Sequence, residues 1–149
     1  MRKYIVLLFS LVLITGCKKD KYIECTIDIN NHVENYSLVG TYKIKYNKDY
    51  VISIEKNDVY KSNNKEVKGY LSEYNNLYYY NLNDNYGGIT YDIKNDNNSV
   101  IINASIDAKK LDITKMVKDN KLDQNYVKFN KITIGGIKKY YESKGAICK

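Results

Sequence analysis

Residues 41–55 read TYKIKYNKDYVISIE, and this stretch decides the fold. Tyr42, Ile44 and Tyr46 alternate with Thr41, Lys43 and Lys45; Tyr50, Ile52 and Ile54 then alternate with Val51, Ser53 and Glu55. Successive side chains of a strand point to opposite faces, so this pattern gives two strands, each with a packed and a wet side. Asn47-Lys48-Asp49 between them supplies the turn of a β-hairpin.

Working outward, Cys25, Ile27 and Ile29 against Thr26, Asp28 and Asn30 make an earlier strand. Two later ones follow. Ile89, Tyr91 and Ile93 alternate with Thr90, Asp92 and Lys94; Val100, Ile102, Ala104 and Ile106 alternate with Ile101, Asn103 and Ser105, across a turn at Asn95–Asn98. Between the strand groups, residues 64–82 change period. Val67, Tyr70, Leu71, Tyr74, Leu77 and Tyr78 recur at i, i+3, i+4, i+7 spacing, the signature of one helical face, and Asn63 with Glu66 resembles a capping box. Shorter helices are expected at about 112–119, capped by Asp112, and about 134–144, capped by Thr133 and stopped by Gly145. The expected class is α+β: a single antiparallel sheet of about five strands, in the order βββ-α-ββ-α-α, with helices on one face.

Composition narrows the function classes. The chain has 149 residues, a formal charge of +7, seventeen tyrosines and no proline or tryptophan. Lys, Asn, Ile and Tyr, the residues of A- and T-rich codons, make up about half of it, so the basic excess and the tyrosines read first as compositional bias. Arg2 is the single arginine among 24 basic residues, and phosphate and base recognition leans on arginine's planar fork; nucleic acid is not an expected partner.

The amino terminus reads MRKYIVLLFSLVLITGC. Arg2 and Lys3 precede an apolar run from Ile5 to Ile14, too short for a bilayer core that needs about 20 residues but right for a signal-peptide h-region. The run closes on Ile14-Thr15-Gly16-Cys17, which resembles the lipobox of bacterial lipoproteins. That resemblance implies cleavage between Gly16 and Cys17 and a lipid on Cys17, whose two acyl chains suffice for stable anchoring in a bilayer. The expected organisation is a signal peptide over 1–16, the lipidated Cys17 and a polar tether over 17–24, and one extracytoplasmic domain over 25–149, held at the cell membrane. Loss of Arg2 and Lys3 brings the mature charge to +5, which suits anionic headgroups, a cell-wall polymer or a membrane-protein partner better than nucleic acid.

Two further cysteines, Cys25 and Cys148, stand near the ends of that domain. Outside the cytoplasm they can oxidise to a disulfide that pins both termini together; the alternative is two free thiols. No CxxC or HxxxH spacing exists and His32 is the only histidine, so no zinc site and no cofactor is expected.

Taken together, the lipobox, Cys25-Thr26-Ile27, the run Asn85-Tyr86-Gly87-Gly88-Ile89-Thr90-Tyr91, Ile106-Asp107 ahead of Leu111-Asp112, and the closing Tyr141-Glu142-Ser143-Lys144-Gly145-Ala146-Ile147-Cys148 resemble the YehR-like small lipoproteins of bacteria. The resemblance covers essentially all of the mature chain. It implies location and an α+β fold, and supplies neither substrate nor catalytic residues.

Catalytic constellations are thin. A triad would hang on His32, and no GxSxG surrounds a serine. Gly87-Gly88 and Gly135-Gly136 lack a phosphate-cradling pattern and read as a helix-to-strand turn and a close-packed helix start. Asn81, Asn83, Asn85 and Asp92 match EF-hand positions, but Tyr86 stands where that loop needs glycine. Asp107 and Asp112, or Glu55 and Asp92, are the conceivable acid pairs of a small envelope hydrolase, although strand-end and cap roles explain the first two. Tyr78-Tyr79-Tyr80 must turn at least one ring outward. The expectation is a non-catalytic binding or envelope-organising module, with an accessory subunit of a membrane complex as the other alternative. Its candidate surface is the wet sheet face: Thr41, Lys43, Lys45, Ser53, Glu55, Thr90, Asp92, Lys94, Asn103 and Ser105.

Overall fold

A computed structural model describes residues 20–149; the expected signal peptide and the expected cleavage and lipidation at Gly16–Cys17 lie outside the described residues. The chain runs β1 Lys21–Asn31, β2 Tyr36–Asn47, β3 Tyr50–Lys61, α1 Lys65–Tyr86, β4 Ile89–Asn95, β5 Ser99–Asp107 and α2 Ile113–Lys118. A 3₁₀ turn at Gln124–Tyr126 then leads into β6 Val127–Lys128, β7 Lys131–Ile132, α3 Ile134–Ser143 and β8 Ile147–Cys148. The main sheet is antiparallel in the order β4-β5-β3-β2-β1-β8, and β6 and β7 form a small ribbon of their own.

The α+β class, the one antiparallel sheet and the helices on one side all follow the alternation in the sequence. Cys25, Ile27, Tyr42, Ile44, Ile54, Val100, Ile102 and Ala104 are buried on one face. A sixth strand, β8, adds to the five expected. It is only two residues long, too short for periodicity to reveal, and is laced to β1 by the Cys25–Cys148 disulfide and by reciprocal backbone bonds between Glu24 and Lys149. Consequently β1 starts at Lys21, inside the stretch expected to be tether. A bulge is the second departure. Lys45 pairs with Ser53 and Tyr46 with Val51, which leaves Ile52 unpaired and turns Val51 rather than Ile52 into the core.

Helix α1 is longer than expected and rotated. Asn64, not Asn63, is its N-cap, accepting from the N–H groups of Glu66 and Val67. It runs on to Tyr86 and stops at Gly87 and Gly88, both at φ near +70°. A side chain at Gly88 would lie 2.8 Å from the Asp107 carbonyl oxygen, so only glycine passes there. The buried row is Leu71, Asn75, Tyr79 and Tyr86, whereas Tyr70, Tyr74, Leu77 and Tyr78 are exposed. Aromatic residues on several sides make the helical period ambiguous, and Asn75 satisfies its own burial by donating to the Leu71 carbonyl at 2.7 Å. The expected caps Asp112 and Thr133 hold α2 and α3 by accepting from Lys115 N–H and Gly136 N–H.

Candidate functional site

The buried residues fall into two hydrophobic clusters rather than one. The first joins β1–β3 with α2 and α3 through Ile27, Ile44, Ile54, Ile113, Ile137 and Tyr141; the second joins α1 with β4 and β5 through Leu71, Tyr79, Ile89, Val100 and Ile102. Along the seam lies a cavity of about 550 Å³ between α1 and the α2–α3 side. Its walls and floor include Ile54, Leu82, Ile89, Ile106, Leu111, Met116, Leu122 and Ile137, with the rings of Tyr42, Tyr78, Tyr79, Tyr140 and Tyr141. That volume falls within the range of small-molecule sites, as does a mostly apolar lining with a few convergent polar groups.

The polar group at the floor is Lys56, which the alternation of β3 turns inward. Its ammonium donates to the Tyr79 hydroxyl at 2.9 Å and lies 5.3 Å from the Tyr42 ring centre and 5.4 Å from that of Tyr79. Asp58, the next inward residue, is 5% exposed and places Oδ2 3.6 Å from the Lys56 ammonium. Its Oδ1 is buried without a well-formed hydrogen bond, close to the Tyr42 hydroxyl above Gly40. A side chain on Gly40 would stand 2.5 Å from that hydroxyl and 2.7 Å from Oδ1, so glycine makes the room for both. Burial first, and the Asp58 carboxylate second, push the phenols of Tyr42, Tyr60 and Tyr79 well above their ordinary value. Tyr141, stacked on Tyr42 at 4.4 Å, is raised by burial and then by Tyr140.

Lys121 and Lys144 line the same cavity, and among the described residues no carboxylate does. Along α1 the exposed rings stack in a row, Tyr70 on Tyr74 at 5.8 Å and Tyr74 on Tyr78 at 6.4 Å. The row leads to a second hollow lined by Tyr36, Tyr60, Tyr70 and Tyr74.

The outer face of the sheet is built as the sequence implied. Thr41, Lys43, Glu55, Thr90 and Asp92 border one shallow trough with Asn103 and Ser105, while Lys45, Ser53 and Lys94 lie beyond its lining. Several of these side chains partner one another. Ser105 donates to Glu55 at 2.8 Å, Asn57 to Asn103 at 2.8 Å, and Lys94 pairs with Asp92 at 3.4 Å. Lys45 pairs with Asp20 at 2.9 Å, and Lys43 sits over the Tyr22 ring.

Other candidates resolve into local roles. Asp107 accepts from Lys109 N–H and pairs with Lys110, and Asp112 caps α2. His32 is exposed in the β1–β2 turn. Asn81, Asn83 and Asn85 belong to α1 and Asp92 to β4, so they form no calcium loop. The residues that sequence reasoning passed over are Lys56, Asp58 and Tyr79. The signal was present, because alternation continued past Glu55 carries Lys56, Asp58 and Tyr60 onto the inner face.

No family model and no curated protein matches the chain. Solved structures do. The NMR structure of Escherichia coli YehR superposes with a TM-score of 0.55 at 16% identity, covering 87% of this chain and 91% of that one. The chain has a YehR-like fold. An NMR structure of a protein from Streptococcus pneumoniae TIGR4 gives a TM-score of 0.51 at 14% identity, covering 100% of this chain and 98% of that one. At such identities the likeness concerns the fold alone.

Proposed function

We propose that this protein is a lipid-anchored extracytoplasmic binding protein, non-catalytic, that takes a ligand of largely apolar body into the seam between α1 and the α2–α3 side. The observation that carries the reading is the divided core. A domain of this size ordinarily closes its interior around one cluster, and voids within it forfeit contacts; here two clusters flank a cavity floored by a tyrosine-clasped lysine. A binding role also explains why Lys56 and Asp58 stand where an apolar pair would pack at lower cost. Lys121 and Lys144 in the lining, with no carboxylate within ion-pair distance among the described residues, favour a ligand whose polar end is anionic.

Anchoring rests on the amino-terminal sequence. Fatty-acid labelling of the full chain tests it: Cys17→Ala is expected to abolish both the label and processing, and a label that survives that change refutes the anchor. The binding role is tested on the mature chain from residue 17 carrying C17S, by thermal unfolding with acyl-chain amphiphiles, wall glycans and stem peptides. A ligand at 100 times its Kd adds about 2.7 kcal/mol, a rise of several degrees in Tm. That rise should vanish in Lys56→Met. Silence across the panel moves the reading to a subunit of a membrane complex.

The outer sheet face supports a second reading, a contact for a cell-wall polymer, because Thr41, Lys43, Glu55, Thr90 and Asp92 meet in one trough. Alanine at Lys43, Lys45 and Lys94 should then weaken sedimentation with isolated walls. The carboxylate-hydrolase alternative finds no such support, as Asp107 accepts from Lys109 N–H, Asp112 caps α2, Glu55 accepts from Ser105 across the strands and Asp92 pairs with Lys94 of its own strand.

A further inference from the structure

We propose that one end of the domain is a membrane-docking surface, in which the β6–β7 tip inserts Phe129 between lysines into an anionic bilayer. The proposal rests on the lipid anchor at Cys17 for its placement, and on the fold for its chemistry.

Asp20 fixes where the chain leaves the domain. Its carboxylate accepts from Asn47 Nδ2 at 3.2 Å and pairs with Lys45 at 2.9 Å, which ties it beside the β2–β3 turn. Cys17 precedes it by three residues, a reach of about 10 Å at most. A lipid on Cys17 therefore holds this end of the domain within about one Debye length of the headgroups, where lysines feel an anionic surface.

The same end is basic. Lys45, Lys48, Lys109 and Lys131 line one hollow with Asp20 and Asn130. Asp20 is engaged by Lys45, and Asp107 pairs with Lys110 at 3.7 Å. Asp49 sits in the β2–β3 turn beside them. Among the described residues, Lys48, Lys109, Lys128 and Lys131 have no carboxylate within ion-pair distance.

The second, independent observation is the tip itself. Phe129 and Asn130 join β6 to β7, both with positive φ, 51° and 55°, and Phe129 is 79% exposed. A bulky ring in the left-handed region is a backbone outlier that Asn-Gly would relieve. The turn instead keeps a large apolar side chain in water, flanked by Lys128 and Lys131. The ribbon is fastened to the basic end: the Asp49 carbonyl accepts from Ile134 N–H at 2.8 Å, and Thr114 donates to Asn130 Oδ1 at 3.0 Å. An exposed aromatic ring with the Lys128 ammonium 5.5 Å from its centre, on a ribbon fastened to the basic end, matches the interface of an anchored bilayer, where rings sit among headgroups and lysines reach phosphates.

The test uses the C17S mature chain and vesicles of phosphatidylcholine with or without phosphatidylglycerol. Because the chain has no tryptophan, Phe129→Trp places a single indole reporter at the tip. Expected are binding only to the phosphatidylglycerol vesicles, loss at high salt, and a blue shift of the indole emission. Each of Lys48→Gln, Lys109→Gln and Lys131→Gln should weaken partition about fivefold, and Phe129→Ser should weaken it further while the unfolding midpoint stays put. Equal behaviour on neutral vesicles, an unshifted indole emission, or capture by a soluble polyanion without vesicle binding overturns the proposal. The two readings separate cleanly: fatty-acid label on Cys17 without vesicle binding removes the docking surface and leaves the anchor, and vesicle binding without label does the reverse.

Discussion

Lys56→Met is the most informative single change. Asp58 is 5% exposed, and the Lys56 ammonium at 3.6 Å is its only cationic partner among the described residues. Removing one partner of a buried pair strands the other charge, a loss of about 3–5 kcal/mol. The lower figure applies here, since the Lys56 side chain keeps 18% of its surface open to the cleft and water there relieves part of the penalty. Lys56→Met also removes the donor to the Tyr79 hydroxyl, about another 1 kcal/mol. For a domain of this size that sum lowers Tm by about 10 °C or more. Asp58→Asn in the same background removes the stranded charge while keeping the side chain's shape above Gly40, and should restore more than half of the loss. The assay is a double-mutant cycle by urea unfolding of the C17S mature chain, read by circular dichroism. A Lys56→Met stability within about 1 kcal/mol of the parent, the size of a single ordinary hydrogen bond, or an Asp58→Asn change whose cost simply adds to it, would refute the account of the pair as buried and coupled.

Two other outcomes follow from the geometry. Reducing Cys25–Cys148 releases a loop of sequence separation 123 and should cost about 5 kcal/mol by chain entropy; unfolding with and without reductant measures it, and hydrogen exchange should rise first at Glu24–Cys25. Alkaline titration tests the tyrosine cluster. Tyr42, Tyr60, Tyr79 and Tyr141 have folded-state values raised above the unfolded value near 10, so their contribution is complete below pH 10 and is lost as pH climbs through the folded values. Each such tyrosine takes away about 1.4 kcal/mol per pH unit in that window. Phenolate absorbance should therefore show these four rings ionising only in a cooperative step with unfolding; their ionisation near pH 10, ahead of unfolding, would contradict the burial.

How much of this was legible before folding depends on which physical signal each feature leaves in the chain. Strands with one packed face leave period-2 alternation, and the hairpin at 41–55, the outer-face residues and the caps Asp112 and Thr133 were readable from it and from local chemistry. What escaped was set by pairing over distance. The bulge at Lys45/Tyr46 turns Val51 inward because of the register it makes with β2, which no local pattern encodes. The rotation of α1 has the same origin: rings at 70, 74, 78, 79 and 80 leave the helical period degenerate, and only contact with β4 and β5 selects Leu71, Asn75 and Tyr79 as the buried row. That selection is what makes the site. Had Tyr74 and Tyr78 faced the sheet, Tyr79 would have pointed away from Lys56, and the lysine on the inner face of β3 would have lost its hydroxyl partner and one of the two rings beside it. A charged pair at alternating positions of a strand otherwise readable as half-buried is thus the local trace of the cleft. It becomes a cleft only through the long-range choice of helix face.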